Sequence, residues 1–389
     1  MDLTAARVGS LEDVRKEQAR RSLHAFLRLF WPYMDPAPFQ DGWHIGAVCE
    51  HLEAVTAGEI RNLLITIPPR HVKSSSASVA WPAWSWIDHP VLQWLFISYH
   101  QNLSTRDSVK CRRVVQSDQY QRWYGDDVAL VHDSNQKTRF DNEGGGYRLA
   151  TSVDGEGTGH GGDILVADDP HNVREGESQA KREAVIQWWD EAMSTRLNNP
   201  KTGRKVIIQQ RVHENDLAGH VLEAGGYEHL NLPARFEPER RCTTSIGWSD
   251  PREEAGEPLW PGRYGEPELD KLEVELGPYG AAAQLQQRPS PREGGMIKRA
   301  WFPITSRGPS EATRIRYWDL AATEKTAKND PDRTAGALLA YKNGLLYIED
   351  IIAVREGPAN VEEIIKQTAR MDGQHVKIWM GQEPGASGK

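Results

Sequence analysis

Short apolar runs at residues 63–67, 92–98, 163–167 and 205–209 alternate with longer stretches of helical periodicity, among them 103–116 and 178–197. Strands that are separated by helices pair in parallel through crossovers, and runs apolar on every position are buried on both faces. The pattern therefore predicts an α/β chain with a mainly parallel, helix-covered sheet. With 389 residues there is room for two or three domains, since a domain usually takes roughly 100 to 200.

Ahead of the first run, Leu11, Val14, Leu23, Phe26, Leu27 and Phe30 recur at helical spacing among charges, which predicts an amphipathic helix over 11–30. Pro32, Pro36 and Pro38 mark a turn, and a second helical stretch follows at 44–57. Residues 1–38 form an N-terminal helical segment and 39–287 the first large domain. Within that domain 233–268 is rich in proline, glycine and charge and carries little periodicity. A second shift at 288–312 marks a linker. Beyond it, 313–389 reads as successive strands at 315–320, 335–341 and 345–354, with turns at Asp330-Pro331 and Asn343-Gly344, then a helix at 361–371 and a strand at 376–380.

Composition removes several function classes. The sequence is 38% hydrophobic and 26% charged, as in water-soluble globular chains. Its longest apolar window, 91–97, is far short of the ~20 residues of a membrane helix, so no membrane partner is expected and residence inside a cell is the default. Cys49, Cys111 and Cys242 are scattered and fit neither a disulfide framework nor a zinc site. A net charge of −8 speaks against a surface that grips nucleic acid throughout, so any DNA contact must be local. The local candidate is Arg288, Arg292, Lys298, Arg299, Arg307, Arg314 and Arg316 around the linker, which equally fits a solvated linker. Trp81, Trp84, Trp86, Trp188 and Trp189 read as packing residues and not as base-stacking platforms.

Chemistry concentrates where the apolar runs end. Ile67-Pro68-Pro69-Arg70-His71-Val72-Lys73-Ser74 lies between a strand and a helix, the context of a phosphate-binding loop. There Lys73 would neutralise the outer phosphates of a nucleotide and the Ser74 hydroxyl would ligate Mg²⁺. The usual pair of glycines is replaced by Ile67 and Val72, and the same residues also fit a plain strand-turn-helix connection. The run at 163–167 leads into Asp168 and Asp169, carboxylates suited to holding Mg²⁺ and polarising an attacking water, or to capping the next helix. A third run ends in Gln209-Gln210-Arg211, and Gln210 and Arg211 would report the presence of a γ-phosphate or stand solvated at the surface. Gly155, Gly157, Gly159, Gly161 and Gly162 precede the carboxylate strand. His160 among them is a candidate contact to phosphate or partner, or an ordinary solvated histidine.

In chain order the segments IPPRHVKS, DILVADDPHN, VIIQQRVHENDLAGHV, QLQQRPSPREGGMIKRAWF, RYWDLAAT, NDPDRTAGALLA and GQEPGASGK resemble the large terminase subunit of tailed bacteriophages, from about residue 40 to the last residue. The resemblance implies a P-loop ATPase domain over 39–287 and, over 313–389, a ribonuclease H-like α/β nuclease domain. It implies an ATP-driven motor that moves double-stranded DNA into a procapsid and cuts concatemers. The implied partners are double-stranded DNA, the portal protein and procapsid and a small terminase subunit. A homo-oligomeric ring in the cytoplasm of an infected bacterial host, or a prophage origin, goes with them. By position, Lys73, Ser74 and Asp168 match the phosphate and Mg²⁺ residues and Asp169 the catalytic acid. Gln210 and Arg211 match the segment that couples hydrolysis to movement, and Phe39 and Gln40 the adenine-sensing region. His160 stands where relatives often carry an arginine, which leaves Arg70 and Arg106 as donors. The competing readings are a helicase-like DNA remodelling ATPase and a non-catalytic assembly subunit that has lost ATP binding.

In the second domain, Asp319 ends the first strand and Glu383 follows the last. In a ribonuclease H-like sheet those strands are neighbours, and their carboxylates would bridge two divalent ions, Mg²⁺ or Mn²⁺, that activate water against a phosphodiester. Asp330 and Asp332 would add a ligand, though Asp-Pro-Asp is also a turn sequence. Relatives continue past the segment matching EPGASGK to a third acidic residue, whereas this sequence ends at Lys389, so the nuclease domain is expected to be incomplete. This polypeptide is therefore expected to cleave DNA poorly or not at all while its ATPase half stays competent. Robust, Asp319-dependent cutting of plasmid DNA with Mn²⁺ or Mg²⁺, read on a gel, would contradict that expectation.

Overall fold

A computed structural model describes residues 10–153, 155, 159–290, 302–305, 308–320, 333–354 and 356–381. The chain divides into two compact units, one of residues 1–177 and 181–292 and the other of residues 178–180 and 293–389. The first unit begins with α1 (Leu11–Arg21), α2 (Leu23–Met34), α3 (Trp43–Ala57), β1 (Asn62–Thr66), α4 (Trp81–Asp88), β2 (Gln93–Ser98), α5 (Gln101–Val115) and α6 (Asp118–Tyr124). It continues through β3 (Leu130–Asn135), β4 (Arg139–Asn142), β5 (Tyr147–Ser152), β6 (Ile164–Asp168), α7 (Gln179–Gln187), β7 (Arg204–Gln209), α8 (Leu217–Ala224), β8 (Glu228–Asn231) and α9 (Glu266–Gly280).

Its strands form one sheet in the order β3-β4-β5-β2-β6-β7-β1-β8. The six from β5 to β8 are parallel, and β4 and β3 add an antiparallel margin. The apolar runs are buried on both faces, as their composition requires. Leu63, Ile65, Val206 and Ile208 enter one core, and Leu64 and Ile207, one residue out of phase, enter the other. Each such side chain contributes about 1.5–3 kcal/mol by leaving water.

Parallel pairing aligns the strand ends. Thr66 of β1 lies opposite Gln209 of β7, and Ile208 lies opposite Asp168 of β6. The loop after β1 and the carboxylates after β6 thus emerge at the same edge, with only β7 between them.

Two sequence expectations change. The single helix over 11–30 is broken at Ser22, whose extended backbone and side chain cap α2 by accepting from the Ala25 N–H. Pro32, read as part of a turn, lies inside the last stretch of α2. The tryptophans pack as expected, with Trp81, Trp86 and Trp189 buried and Trp84 and Trp188 against the cores.

The aperiodic segment 233–268 is held by a buried charge pair in place of regular structure. Arg252 donates to both oxygens of Asp250 (3.1 and 2.7 Å) and to the carbonyls of Pro233 and Glu257, while its guanidinium lies over Trp43 and Phe236. Trp260 closes the segment onto the start of α3 by donating its indole N–H to the Asp41 carbonyl.

In the second unit β9 (Thr313–Asp319), β10 (Thr334–Lys342), β11 (Leu345–Val354), α10 (Pro358–Asp372) and β12 (Lys377–Met380) give a sheet of order β11-β10-β9-β12. β10 runs antiparallel to both neighbours, and β12 is parallel to β9 with Met380 opposite Trp318. Gly336 faces Trp318, where any Cβ would come within 2.6 Å of the indole. Asn343 and Gly344 both take positive φ, as a two-residue hairpin turn requires. Among the described residues no helix is long and apolar enough to cross a membrane.

The Asp250–Arg252 pair yields a direct test. Asp250→Ala strands a buried guanidinium and is expected to lower unfolding stability by about 3–5 kcal/mol. Adding Arg252→Met should recover much of that loss in urea titrations.

Candidate nucleotide site

Lys73 opens a helical run that continues to Asp88, with a π-helical stretch at Ser75–Ala80. The turn before it carries Arg70 and Val72 at φ 61° and 66°. Positive φ is unusual for any L-residue and more so for a β-branched one, so the surroundings must impose it. His71 is the visible constraint. Its Nδ1 donates to the Pro69 carbonyl (2.8 Å), and its ring stacks on Tyr264 at 4.9 Å. Burial, and after it the charge of Lys73, push His71 down to about 4, so the imidazole is neutral at physiological pH.

Lys73, only 5% exposed, donates from Nζ to Asp169 at 2.6 Å. Ser74 donates its hydroxyl to one oxygen of Asp168 (3.1 Å), and Ser78, one helical turn later, donates to the other (2.7 Å). Asp169 takes φ 45°, its N–H donates to the Ile208 carbonyl, and its side chain also accepts from the Gln210 N–H (3.1 Å). Burial, followed by the charges of Asp169 and Asp107, pushes the Asp168 carboxyl up to about 7.

These groups meet two adjoining cavities. The larger, about 840 Å³, has Lys73, Ser74 and Arg70 on one part of its wall and Gln40, Trp260 and Arg263 on others. The smaller, about 330 Å³, is bordered by Asp168, Asp169 and Gln210, whose Oε1 is buried without a hydrogen-bond partner among the described residues. Arg106 and Asp107 of α5 border both. A hard oxygen set of a hydroxyl and carboxylates fits Mg²⁺, which takes one or two carboxylates and completes its shell with water and phosphate. Ser74 and Asp168 are the residues placed to hold it.

Not every residue singled out from the sequence lies here. Arg211 is committed elsewhere: its Nε donates to Asp216 (2.9 Å), a buried carboxylate that caps α8, and its N–H donates to Gln287. That guanidinium is fixed by an ion pair and does not border either cavity. Phe39 packs on Trp31 beside the larger cavity, and His160 is exposed. In the second unit Asp319 is exposed at the end of β9, whereas Glu383, Asp330 and Asp332 lie outside the described residues. Among the described residues no cluster of three or more His, Cys, Asp or Glu side chains could hold a metal. The cationic patch around the linker is smaller than its sequence suggests. Arg314 pairs with Glu349 and Arg316 with Asp350 and Asp372, while Arg288 lies 3.4 Å from Glu237. Arg292, Lys298, Arg299 and Arg307 lie outside the described residues.

Sequence reasoning missed Ser78, Asp107, Trp260 and Arg263. Only Ser78 had an available signal, since it follows Ser74 by one turn on the same helix face.

No family model matches this chain, and no curated protein does. Solved structures that it resembles are large terminases of bacteriophages. Against the HK97 large terminase the identity is 13%, with 93% of this chain and 74% of that one covered and a TM-score of 0.46. Against the large terminase of a thermophilic bacteriophage in complex with ADP, identity is 8%, coverage 85% and 76%, and the TM-score 0.37. Against the large terminase ATPase domain of Thermus phage P74-26, identity is 13%, coverage 60% and 91%, and the TM-score 0.39.

The raised Asp168 carboxyl has a stability consequence. A carboxylate whose folded pKa exceeds its ordinary value opposes folding once ionised, so its effect grows as pH rises from about 4 through about 7. In metal-free buffer, Asp168→Asn is expected to melt above wild type at pH 8, with the difference vanishing near pH 4. Equal melting temperatures at both pH values would contradict the burial of this charge.

Proposed function

We propose that the first unit is a Mg²⁺-dependent ATPase and that it drives movement of double-stranded viral DNA into a procapsid. The observation that carries the ATPase reading is the convergence of Lys73, Ser74, Asp168 and Asp169 at one sheet edge, beside a cavity large enough for a nucleotide. The motor reading extends it through the order of motifs along the chain.

The Lys73–Asp169 contact sets the order of events. A nucleotide presenting its phosphates offers Lys73 a more highly charged partner, and backbone N–H groups at the start of the helix add to that attraction. As Lys73 turns to the phosphates, Asp169 is released from its ion pair and left beside the smaller cavity. There it can accept a hydrogen bond, and then a proton, from a water aimed at the γ-phosphate. Gln210 is suited to orient that water, because it borders the same space and its side-chain oxygen has no partner among the described residues. Ser74 and Asp168 would hold Mg²⁺, which would supply positive charge against that of the phosphates. Arg70, Lys110 and Arg263 border the larger cavity as cationic donors to the phosphates, while Arg106, which also borders it, is paired with Asp107 at 2.9 and 3.0 Å. Arg211 contributes through its backbone link to Gln287, consistent with a coupling role and not with direct phosphate contact.

For the second unit we propose that Asp319 and Glu383 are two of the carboxylates of a metal-dependent endonuclease site, the cutting itself being an activity of the complete protein. The parallel neighbourhood of β9 and β12 supports it, since Asp319 closes β9 and Glu383 follows β12 in sequence.

Titration with labelled ATP separates these readings. Wild type is expected to bind and hydrolyse ATP, Lys73→Ala to lose both, and Asp169→Asn to keep binding while hydrolysis falls by about 10²–10⁴-fold. If neither wild type nor Lys73→Ala binds, the motor fails and a non-catalytic assembly subunit stands. ATP-dependent strand separation without DNA filling of procapsids would favour a helicase-like remodeller.

A further inference from the structure

Arg148 is a charged side chain whose burial the fold does not explain. It is the second residue of β5, opposite Trp94 of β2, is 0% exposed, and stacks its guanidinium over Phe96 at 4.1 Å. Nη2 donates to the Ser78 carbonyl at 2.9 Å, whereas Nε and Nη1 have no hydrogen-bond partner among the described residues. An arginine enclosed with only part of its donor set used carries a heavy desolvation penalty, so stability alone disfavours it.

What it touches leads to the nucleotide site. The Ser78 carbonyl would ordinarily accept from the residue four positions on, but that residue is Pro82, which has no N–H. Arg148 supplies a donor there. The hydroxyl of the same serine donates to Asp168, whose other oxygen is held by Ser74. The contacts run in one line from β5, through the π-helical stretch, to the carboxylate at the end of β6.

We propose that Arg148 is a positioning residue for the Mg²⁺ site: by clamping the Ser78 carbonyl it fixes the Ser78 hydroxyl on Asp168, and so the orientation in which that carboxylate meets the metal. The proposal rests on the ATPase reading above. It differs from a packing role in what it controls, which is metal affinity and not fold stability.

The test is Mn²⁺ binding followed by electron paramagnetic resonance, in the presence of ADP, on the full chain. Arg148→Met is expected to weaken Mn²⁺ about 10-fold, as loss of an outer partner of a ligand does. Its ADP affinity in EDTA should be unchanged and its melting temperature no lower. Ser78→Ala should give a similar loss, and the double variant no further loss, because both changes break one line of contacts. Unchanged Mn²⁺ affinity in folded Arg148→Met, or losses that add in the double variant, overturns the inference and leaves the ATPase reading in place. Should Arg148→Met not fold, Arg148→Lys decides: its ammonium can still reach the carbonyl, so near-wild-type Mn²⁺ affinity supports the clamp and a loss as large as that of Ser78→Ala overturns it. If wild type shows no Lys73-dependent binding of Mn²⁺ with ADP, both the ATPase reading and the inference fall.

Discussion

Two adjacent carboxylates stand at the end of β6, Asp168 buried and the Asp169 side chain 25% exposed, an arrangement that repulsion and the desolvation of Asp168 oppose. Lys73 is the counter-charge that makes it tenable, reaching Asp169 at 2.6 Å from the start of the next helical run after β1. The sheet order makes that reach possible. Because β7 alone separates β1 from β6 and all three are parallel, the lysine and the aspartates rise from the same edge. On the proposed reading, a nucleotide that drew Lys73 away would leave the carboxylates exposed to one another, and a divalent cation would replace the charge removed.

The α/β alternation, the lysine loop and the aspartate pair were legible because each is local. Uninterrupted apolar runs announce buried parallel strands, and polar residues at their ends fall at one edge once the strands are parallel. What escaped notice depends on side-chain pairings that leave no periodic signal. β5 carries a buried arginine and reads poorly as a strand, and β8 is too short to show a period. The wall formed by Trp260 and Arg263 comes from 233–268, whose order is set by the pairing of Asp250 with Arg252 and not by any repeat. Arg211 looked available for phosphate because Asp216 is a helix cap in sequence and an ion-pair partner only in space.

A similar distinction governs the second unit. Arginines counted along the linker suggest a cationic surface, but charge in sequence is not free charge in the fold. Arg316 is 2% exposed and shared between Asp350 and Asp372, so it holds α10 to the sheet. That β9 and β12 are neighbours was expected from the ribonuclease H-like resemblance, whereas their register and the internal neutralisation of the arginines were not.

Ile67 and Val72 stand where a phosphate loop usually carries glycines, with Pro68 and Pro69 between them, and on the proposed reading this bears on binding itself. A glycine-rich loop samples many shapes and surrenders that freedom when it closes around phosphate, at a cost of about 1–2 kcal/mol per residue ordered. The Pro68-Pro69 pair and the restricted Val72 leave this loop few shapes to give up, so most of its ordering entropy is lost on folding and little when ligand arrives. If the loop holds phosphate as proposed, such a preformed cradle would favour tight retention of the nucleotide and slow departure of the spent one.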